Sequence, residues 1–409
     1  MTPHRLPAAL AALTVGALAL AGCVAKADTA ASDALTVTST ADGCEVSAAD
    51  AQSGTLAFDV ANTGDEVTEF YLVADDGLRI VGEVENIAPG ASRTLTVVAQ
   101  PGDYYTLCKP GMIGDGVGKA AFSVTGDAVA IDGPDAEQKQ QAVDLYAAFV
   151  KDQVGQLLPA VEEFAAAYES GDDDTARTQF PLVRAYYERI EPVAEALGDL
   201  DPRIDYREVD AVAERLDWTG FHRIEKDLWV PAEDALNADG ETPAWQDWAP
   251  STEDERAAFG DQLIADVQEL YDYVHSADFQ TALDEQGVAG ISNGAIALLD
   301  EVAMGKITGE EDWWSGTDLW DFAANVEGSK MAFSLARDFA ASKDDEGEAL
   351  VADIDAGYAA LEAALAVHGS LVDGFVFYDE LTDADKREFT DLINALAEPL
   401  SQLTVTVLE

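Results

Sequence analysis

The hydrophobic period of this chain changes once, from two residues to 3.6, across the polar stretch Gly126 to Asp135, and that change divides the chain into two folds. Before the stretch, short alternating runs recur at intervals of about ten residues: Leu35-Thr36-Val37, Leu56 to Val60, Phe70 to Val73, Arg79 to Val84, Leu95 to Ala99, Tyr104 to Cys108 and Phe122 to Val124. Turn signals at Asn62-Thr63-Gly64, Asp75-Asp76-Gly77, Pro89-Gly90 and Pro101-Gly102 separate them. Leu56, Phe58 and Val60 face one way and Asp59 the other, the pattern of a half-buried strand. Residues 35–126 are therefore expected to form a β-sandwich. After the stretch, Ala142, Leu145, Phe149, Val154, Leu157, Val161, Phe164 and Tyr168 trace an apolar stripe along a helix. Further helices are expected at about Thr175 to Leu197, Val209 to Leu216, Gly220 to Ala235, Ser251 to Leu283, Asn293 to Met304, Asp318 to Ala341, Glu348 to His368 and Thr382 to Leu403. Ser251 with Asp254 and Thr382 with Asp385 have the spacing of capping boxes in acidic form. Residues 136–409 are read as an all-α bundle, so the fold class is multidomain β followed by α.

The N-terminus reads as a targeting segment. His4 and Arg5 precede an apolar run from Leu6 to Ala21 that is too short for a mature transmembrane helix. It ends in Leu20-Ala21-Gly22-Cys23, which resembles the lipobox of bacterial lipoproteins, so residues 1–22 are expected to be a signal peptide and Cys23 the lipidated residue. An Ala/Ser/Asp-rich tether, residues 23–34, follows. The mature protein is expected outside the cytoplasm, in the periplasm or on the cell surface, held to the membrane by lipid. In such an oxidising compartment Cys44 and Cys108 form an even pair, available for a disulfide or for metal.

The net charge of −56 repels nucleic-acid phosphates and concentrates cations, which sets nucleic-acid binding aside. Within Gly220-Phe221-His222-Arg223-Ile224-Glu225-Lys226-Asp227-Leu228-Trp229, the spacing of three puts His222 and Glu225 on one helix face. Phe221, Ile224 and Leu228 bury that helix, and an imidazole beside a carboxylate in apolar surroundings calls either for a metal ion or for a plain salt bridge. A zincin needs a second histidine four residues on, and that position is Lys226; His275 and His368 fall near helix ends, where capping is the ordinary role. A blue-copper centre needs two histidines, and residues 33–134 contain none.

The same stretch resembles the His-x-x-Glu signature of the imelysin-like family, also filed as a peptidase family. Tyr187-Glu188-Arg189-Ile190-Glu191-Pro192, Ile204-Asp205-Tyr206-Arg207-Glu208, Thr317-Asp318-Leu319-Trp320-Asp321-Phe322 and Asn325-Val326-Glu327-Gly328 agree with it. A cupredoxin-like domain ahead of such a bundle, with Glu85-Asn86-Ile87-Ala88-Pro89-Gly90 inside it, is similar to the EfeO-type iron-uptake lipoproteins. The resemblance implies a metal held between helices by His222 and Glu225 with the carboxylates of Glu188, Asp205 and Glu301. Glu188 has the ordinary alternative of pairing with Arg184, four positions earlier. In the β domain it implies a site of Cys44, Cys108, Met112 and Glu69, beside the alternative of a Cys44–Cys108 disulfide. Iron is the expected ion, with zinc, manganese or copper as alternatives. The implied partners are a membrane iron permease and a haem peroxidase-like protein, and the implied function is capture of iron and its delivery to that permease. Two other functions are weighed: a metallopeptidase, and a polysaccharide-binding surface protein stacking sugars on Trp245, Trp248, Trp313 and Trp314.

Overall fold

The computed structural model describes residues 34–77, 79–112, 114, 116–130 and 135–408. The signal segment, Cys23 and the tether up to residue 33 lie outside the described residues.

Among the described residues the N-terminal part is a two-sheet sandwich of nine strands: β1 (Leu35–Thr40), β2 (Gly43–Val46), β3 (Asp50–Gln52), β4 (Gly54–Asn62), β5 (Thr68–Ala74), β6 (Ile80–Ile87), β7 (Ser92–Ala99), β8 (Gly102–Cys108) and β9 (Val117–Thr125). One sheet runs β2-β1-β4-β7 and the other β3-β9-β8-β5-β6, with β1/β4 and β3/β9 parallel and the remaining pairs antiparallel. The alternation read in β4 holds, with Leu56, Phe58 and Val60 buried and Asp59 exposed. Phe58 packs against Phe70 and Phe122 at the centre. Cys44 on β2 and Cys108 on β8 are joined in a disulfide, which ties the two sheets together. The short strands β2 and β3 escaped the sequence reading: β2 offers only Cys44 and Val46 about Glu45, and β3 only Ala51.

The remainder is helical: α1 (Ala136–Glu169), α2 (Asp173–Glu188), α3 (Glu191–Glu195), α4 (Leu200–Ile204), α5 (Glu208–Glu214), α6 (Gly220–Leu228), α7 (Glu253–Val274), α8 (Ala277–Glu301), α9 (Asp318–Lys343), α10 (Asp345–His368), α11 (Asp383–Leu400) and α12 (Leu403–Leu408). The helix expected from Thr175 to Leu197 breaks after Glu188, just ahead of Pro192, and the one expected to reach Ala235 stops at Leu228, ahead of Pro231. The span read as Ser251 to Leu283 is two helices, because Ser276 caps the start of α8 by accepting from the Phe279 amide. α8 absorbs most of the helix expected from Asn293 to Met304 and continues into a π-helical turn, Val302–Lys306. The capping box of α7 falls one residue later than expected, on Thr252 and Glu255, whereas Thr382 and Asp385 cap α11 as read.

α8 lies across the sandwich beside β6 and β7. Asn293 donates to the Thr96 carbonyl at 2.9 Å, and Arg93 donates both to the Glu85 carbonyl at 2.6 Å and to Asp300 at 2.8 Å. Lys109 pairs with Glu214 at 3.0 Å further along the junction. Between these contacts the two parts enclose a cleft of about 500 Å³. Twelve Asp and Glu side chains line it against Lys109 and Arg207 alone, among the described residues. No described helix is long and apolar enough to cross a membrane.

Candidate metal centre

The centre begins with the way α6 enters the bundle. Gly220 has φ +82°, and a Cβ there would lie 2.1 Å from the Ile204 carbonyl oxygen, so the start of α6 rests directly on the backbone at the end of α4. Thr219 donates to the Arg203 carbonyl at 2.8 Å beside it. All nine residues of α6 are buried. Phe221 packs among Phe164, Phe180 and Tyr187. The polar residues therefore lie inside the protein and need partners there.

His222 and Glu225 meet, as the spacing of three requires: Nδ1 of His222 lies 3.1 Å from Oε2 of Glu225. The other Glu225 oxygen accepts from the backbone N–H groups of Trp314 at 3.0 Å and Ser315 at 2.7 Å. On its far side the imidazole Nε2 faces Oε1 of Glu311 at 3.3 Å and Oδ1 of Asp205 at 3.5 Å. Two sets of ligand atoms are assembled in this way, Asp205, His222 and Glu311 at one ring nitrogen and His222, Glu225 and Asp312 at the other; within each set the atoms lie inside 4.8 Å of one another. A void of about 20 Å³, enough for a water or a bare ion, opens beside His222, Glu225 and Glu311. Asp205 and Glu311 also form part of the cleft lining, so the Nε2 side of the ring communicates with the space between the domains.

Two buried cations sit among these acids. Arg184 donates to Asp321 at 3.0 Å, to Glu188 at 2.5 Å and to Asp205, and lies 3.5 Å from Asp312 and 3.6 Å from Glu311. Lys306 lies 3.3 Å from Glu301, 3.5 Å from Glu188 and from Glu191, and 3.9 Å from Glu311. The acids nonetheless outnumber the cations, and Asp205 Oδ2, Asp312 Oδ1, Asp318 Oδ2 and Asp321 Oδ1 accept no hydrogen bond although fully buried. Such oxygens retain proton or metal affinity. Burial pushes the Asp205 carboxyl up to about 6 against the pull of Arg184 and His222, and lifts Asp318 to about 7. It lifts Asp312 and Asp321 well above the usual range. Burial acts on Glu311 in the same sense, but Lys306, His222 and Arg207 outweigh it and hold that carboxyl well below its ordinary value. Burial and Arg184 push the His222 imidazolium down, yet its hydrogen bonds to Glu225 and Glu311 and the charge of Asp205 carry it up to about 10.

The structure gathers His222, Glu225, Asp205 and Glu188 into one cluster. Glu188 also makes the ion pair with Arg184 that its spacing offered. Glu301 does not reach the imidazole; it pairs with Lys306 and lines the cleft instead. Of the two readings of the β domain, the disulfide is the one found and the sulfur-based metal site is not. Cys44 and Cys108 are bonded to each other, leaving neither sulfur a thiolate to offer a metal. Glu69 accepts from the Tyr71 hydroxyl, and both Glu69 and Met112 line the cleft wall. Three residues of the centre were missed by the sequence reading, Glu311, Asp312 and Lys306; Arg184 was read only as a pairing partner of Glu188. Glu311 and Asp312 sit in the loop between the π-helical turn and α9, where no periodicity marks an inward side chain. Of the four tryptophans considered as a sugar platform, Trp248 and Trp314 pack over the Lys226 ammonium, at 5.1 and 4.7 Å, rather than lying open. Lys226, at the position of a zincin's second histidine, is itself buried and donates to Glu208 and Asn237. His275 closes the C-terminus of α7, its ring nitrogen 2.8 Å from the Tyr271 carbonyl.

Comparison with known proteins agrees with this architecture. The family model described as imelysin matches residues 142–403, and that of the cupredoxin-like domain matches residues 10–118. The iron uptake system component EfeO of Escherichia coli O6:K15:H31 is 36% identical over 400 residues, covering 96% of this chain and 96% of the relative. The EfeO of Escherichia coli strain K12 is 36% identical over 375 residues, covering 90% of this chain and 89% of the relative. Among solved structures, a Parabacteroides distasonis protein provisionally titled an iron-regulated protein A precursor overlays with a TM-score of 0.45 at 16% identity, covering 68% of this chain and 96% of that one. The family match over most of the helical part, with relatives 36% identical along nearly the whole length, shows that the chain belongs to the imelysin family, in its EfeO-type form with a cupredoxin-like domain ahead of the bundle.

Proposed function

We propose that the protein is the metal-capturing component of an iron uptake system, and that it holds the ion at the Nε2 side of His222 between Asp205 and Glu311. One observation carries the reading: an imidazole nitrogen and two carboxylate oxygens converge at the floor of an acid-lined cleft, beside a buried Asp205 oxygen that accepts no hydrogen bond. Glu225 then serves as the group that fixes the ring, accepting the hydrogen bond of the Nδ1–H so that Nε2 gives up its proton to the medium and turns its lone pair to the ion. One imidazole with carboxylate oxygens suits a hard or borderline ion, and the relatives' names point to iron. Lipid attachment at Cys23, a position outside the cytoplasm and transfer to a membrane permease working with a haem peroxidase-like protein belong to the same proposal. Hydrolysis does not, since a buried lysine stands where a zincin carries its second histidine.

The test is calorimetric titration of the mature protein with ferrous ion under argon, beside His222→Ala and Glu311→Gln. Binding to the wild type that both variants weaken at least about a hundredfold is expected. Equal binding by all three overturns the assignment. A peptide library cleaved by the wild type and not by His222→Ala overturns the non-hydrolytic reading.

A further inference from the structure

We propose that Lys306 is a displaceable internal cation, whose ammonium balances the acids of the metal-free centre and withdraws when the metal ion arrives. The inference rests on the reading of the His222 cluster as a metal site.

Lys306 is 1% exposed and ends the π-helical turn Val302–Lys306, an irregular turn of the kind that often marks a functional position in a helix. Its ammonium is suspended among four carboxylates at 3.3 to 3.9 Å, with Glu301 the nearest. Lys109, by contrast, makes a close ion pair with Glu214 at 3.0 Å. The decisive atom is Oε1 of Glu311. It lies 3.9 Å from the Lys306 ammonium and 3.3 Å from Nε2 of His222, so the same oxygen serves the lysine and the proposed metal set. A metal ion held by that oxygen brings a second, larger positive charge against the buried ammonium, and the two repel.

Arg184 is not equipped to yield. Its guanidinium is forked among Asp321, Glu188 and Asp205, fully buried on α2. Lysine has a flexible four-carbon stem and a compact charge, which suit it to swing. A place for it to go exists: Glu301 is 19% exposed and lines the cleft together with Gly305, next in sequence to Lys306. Lys306 thus links Glu301 and Glu311, two carboxylates that both line the cleft. The exchange would limit affinity in favour of reversibility, since return of the ammonium helps to expel the ion.

The experiment compares the mature wild type with Lys306→Met, titrated with ferrous ion under argon, and follows melting with and without metal. Binding at least tenfold tighter in Lys306→Met is expected, with a melting temperature lowered in the metal-free form and restored on loading. Unchanged or weaker binding by the variant overturns the proposal. Should the variant fail to fold, brief acetylation of the wild type followed by mass spectrometry gives an independent reading. Labelling of Lys306 is expected to rise severalfold on metal saturation, and equal or lower labelling overturns the proposal. A wild type that takes up no ferrous ion removes the site itself. Binding that depends on His222, with no change at Lys306, removes only the displacement.

Discussion

Replacing Glu225 by glutamine is the sharpest probe of how the imidazole is held. The substitution keeps the size of the side chain and changes one thing, its capacity to accept on both sides. The Glu225 oxygen that takes the Trp314 and Ser315 amides is committed by those two bonds, so an amide carbonyl will occupy that place. The NH2 group is then left facing Nδ1 of His222 at about the 3.1 Å now spanned by the carboxylate. A donor there obliges Nδ1 to accept, which moves the ring proton to Nε2, the atom proposed to bind the ion. Groups that orient a metal-binding histidine typically contribute 10- to 100-fold in affinity, about 1.4 to 2.8 kcal/mol. The folded state should lose about 1 kcal/mol or less, because the two amides keep their partner. Glu225→Ala differs: it orphans the buried Ser315 amide and the half-buried Trp314 amide and should cost about 1–4 kcal/mol in stability besides affinity. Calorimetry with ferrous or manganous ion and urea unfolding of the metal-free protein separate the two quantities. Affinity of Glu225→Gln within threefold of the wild type refutes the tautomer argument, and a loss as deep as that of His222→Ala makes Glu225 a ligand instead.

Three further outcomes are expected. Gly220→Ala places a Cβ 2.1 Å from the Ile204 carbonyl at φ +82°, so it should destabilise the bundle by at least about 2 kcal/mol and weaken metal binding by shifting His222, both read from urea titrations and calorimetry. Replacing Cys44 and Cys108 together with serine opens a loop of 64 residues, worth about 4 kcal/mol to the sandwich, while ferrous affinity of the bundle stays within about twofold; loss of a bound ion instead would return the sulfurs to a metal role. Burial and the neighbouring charges of Glu69 and Glu301 raise Glu83 from 4.5 to about 8. The folded form then holds a proton that the unfolded chain releases, so stability falls as pH rises from about 4.5 to about 8. Glu83→Gln should be flatter across that window and more stable than the wild type at pH 8 by on the order of 2 kcal/mol, as melting curves at several pH values will report.

The division into sandwich and bundle was legible because hydrophobic period is a property of the backbone itself, and no tertiary contact was needed to read it. His222 with Glu225 was legible for a related reason: one helical turn fixes their relation before anything packs around them. Asp205 and Glu188 came only through resemblance, since each belongs to a segment whose inward face depends on where α4 and α2 dock. Glu311 and Asp312 were hidden by the loop that carries them, in which Trp313 and Trp314 drew notice for another reason. Lys306 was hidden more deeply. Its burial depends on the π-helical turn after α8, a local change of register that no spacing rule for an ordinary helix anticipates. Glu301, like Asp205 and Glu188, was placed in the centre through resemblance; Lys306, five residues later in the chain, takes its carboxylate as a partner instead.

The acid walls of the cleft tie capture to the salinity of the surroundings. In fresh water, at about 0.01 M ions, their field extends roughly 30 Å and gathers cations from well beyond the mouth. In brine near 1 M it fades within about 3 Å, and an arriving ion feels the walls only once it is already between them. The same molecule would therefore act as a long-range collector in one habitat and as a short-range filter in the other, with speed of uptake rather than tightness of holding as the quantity that changes most.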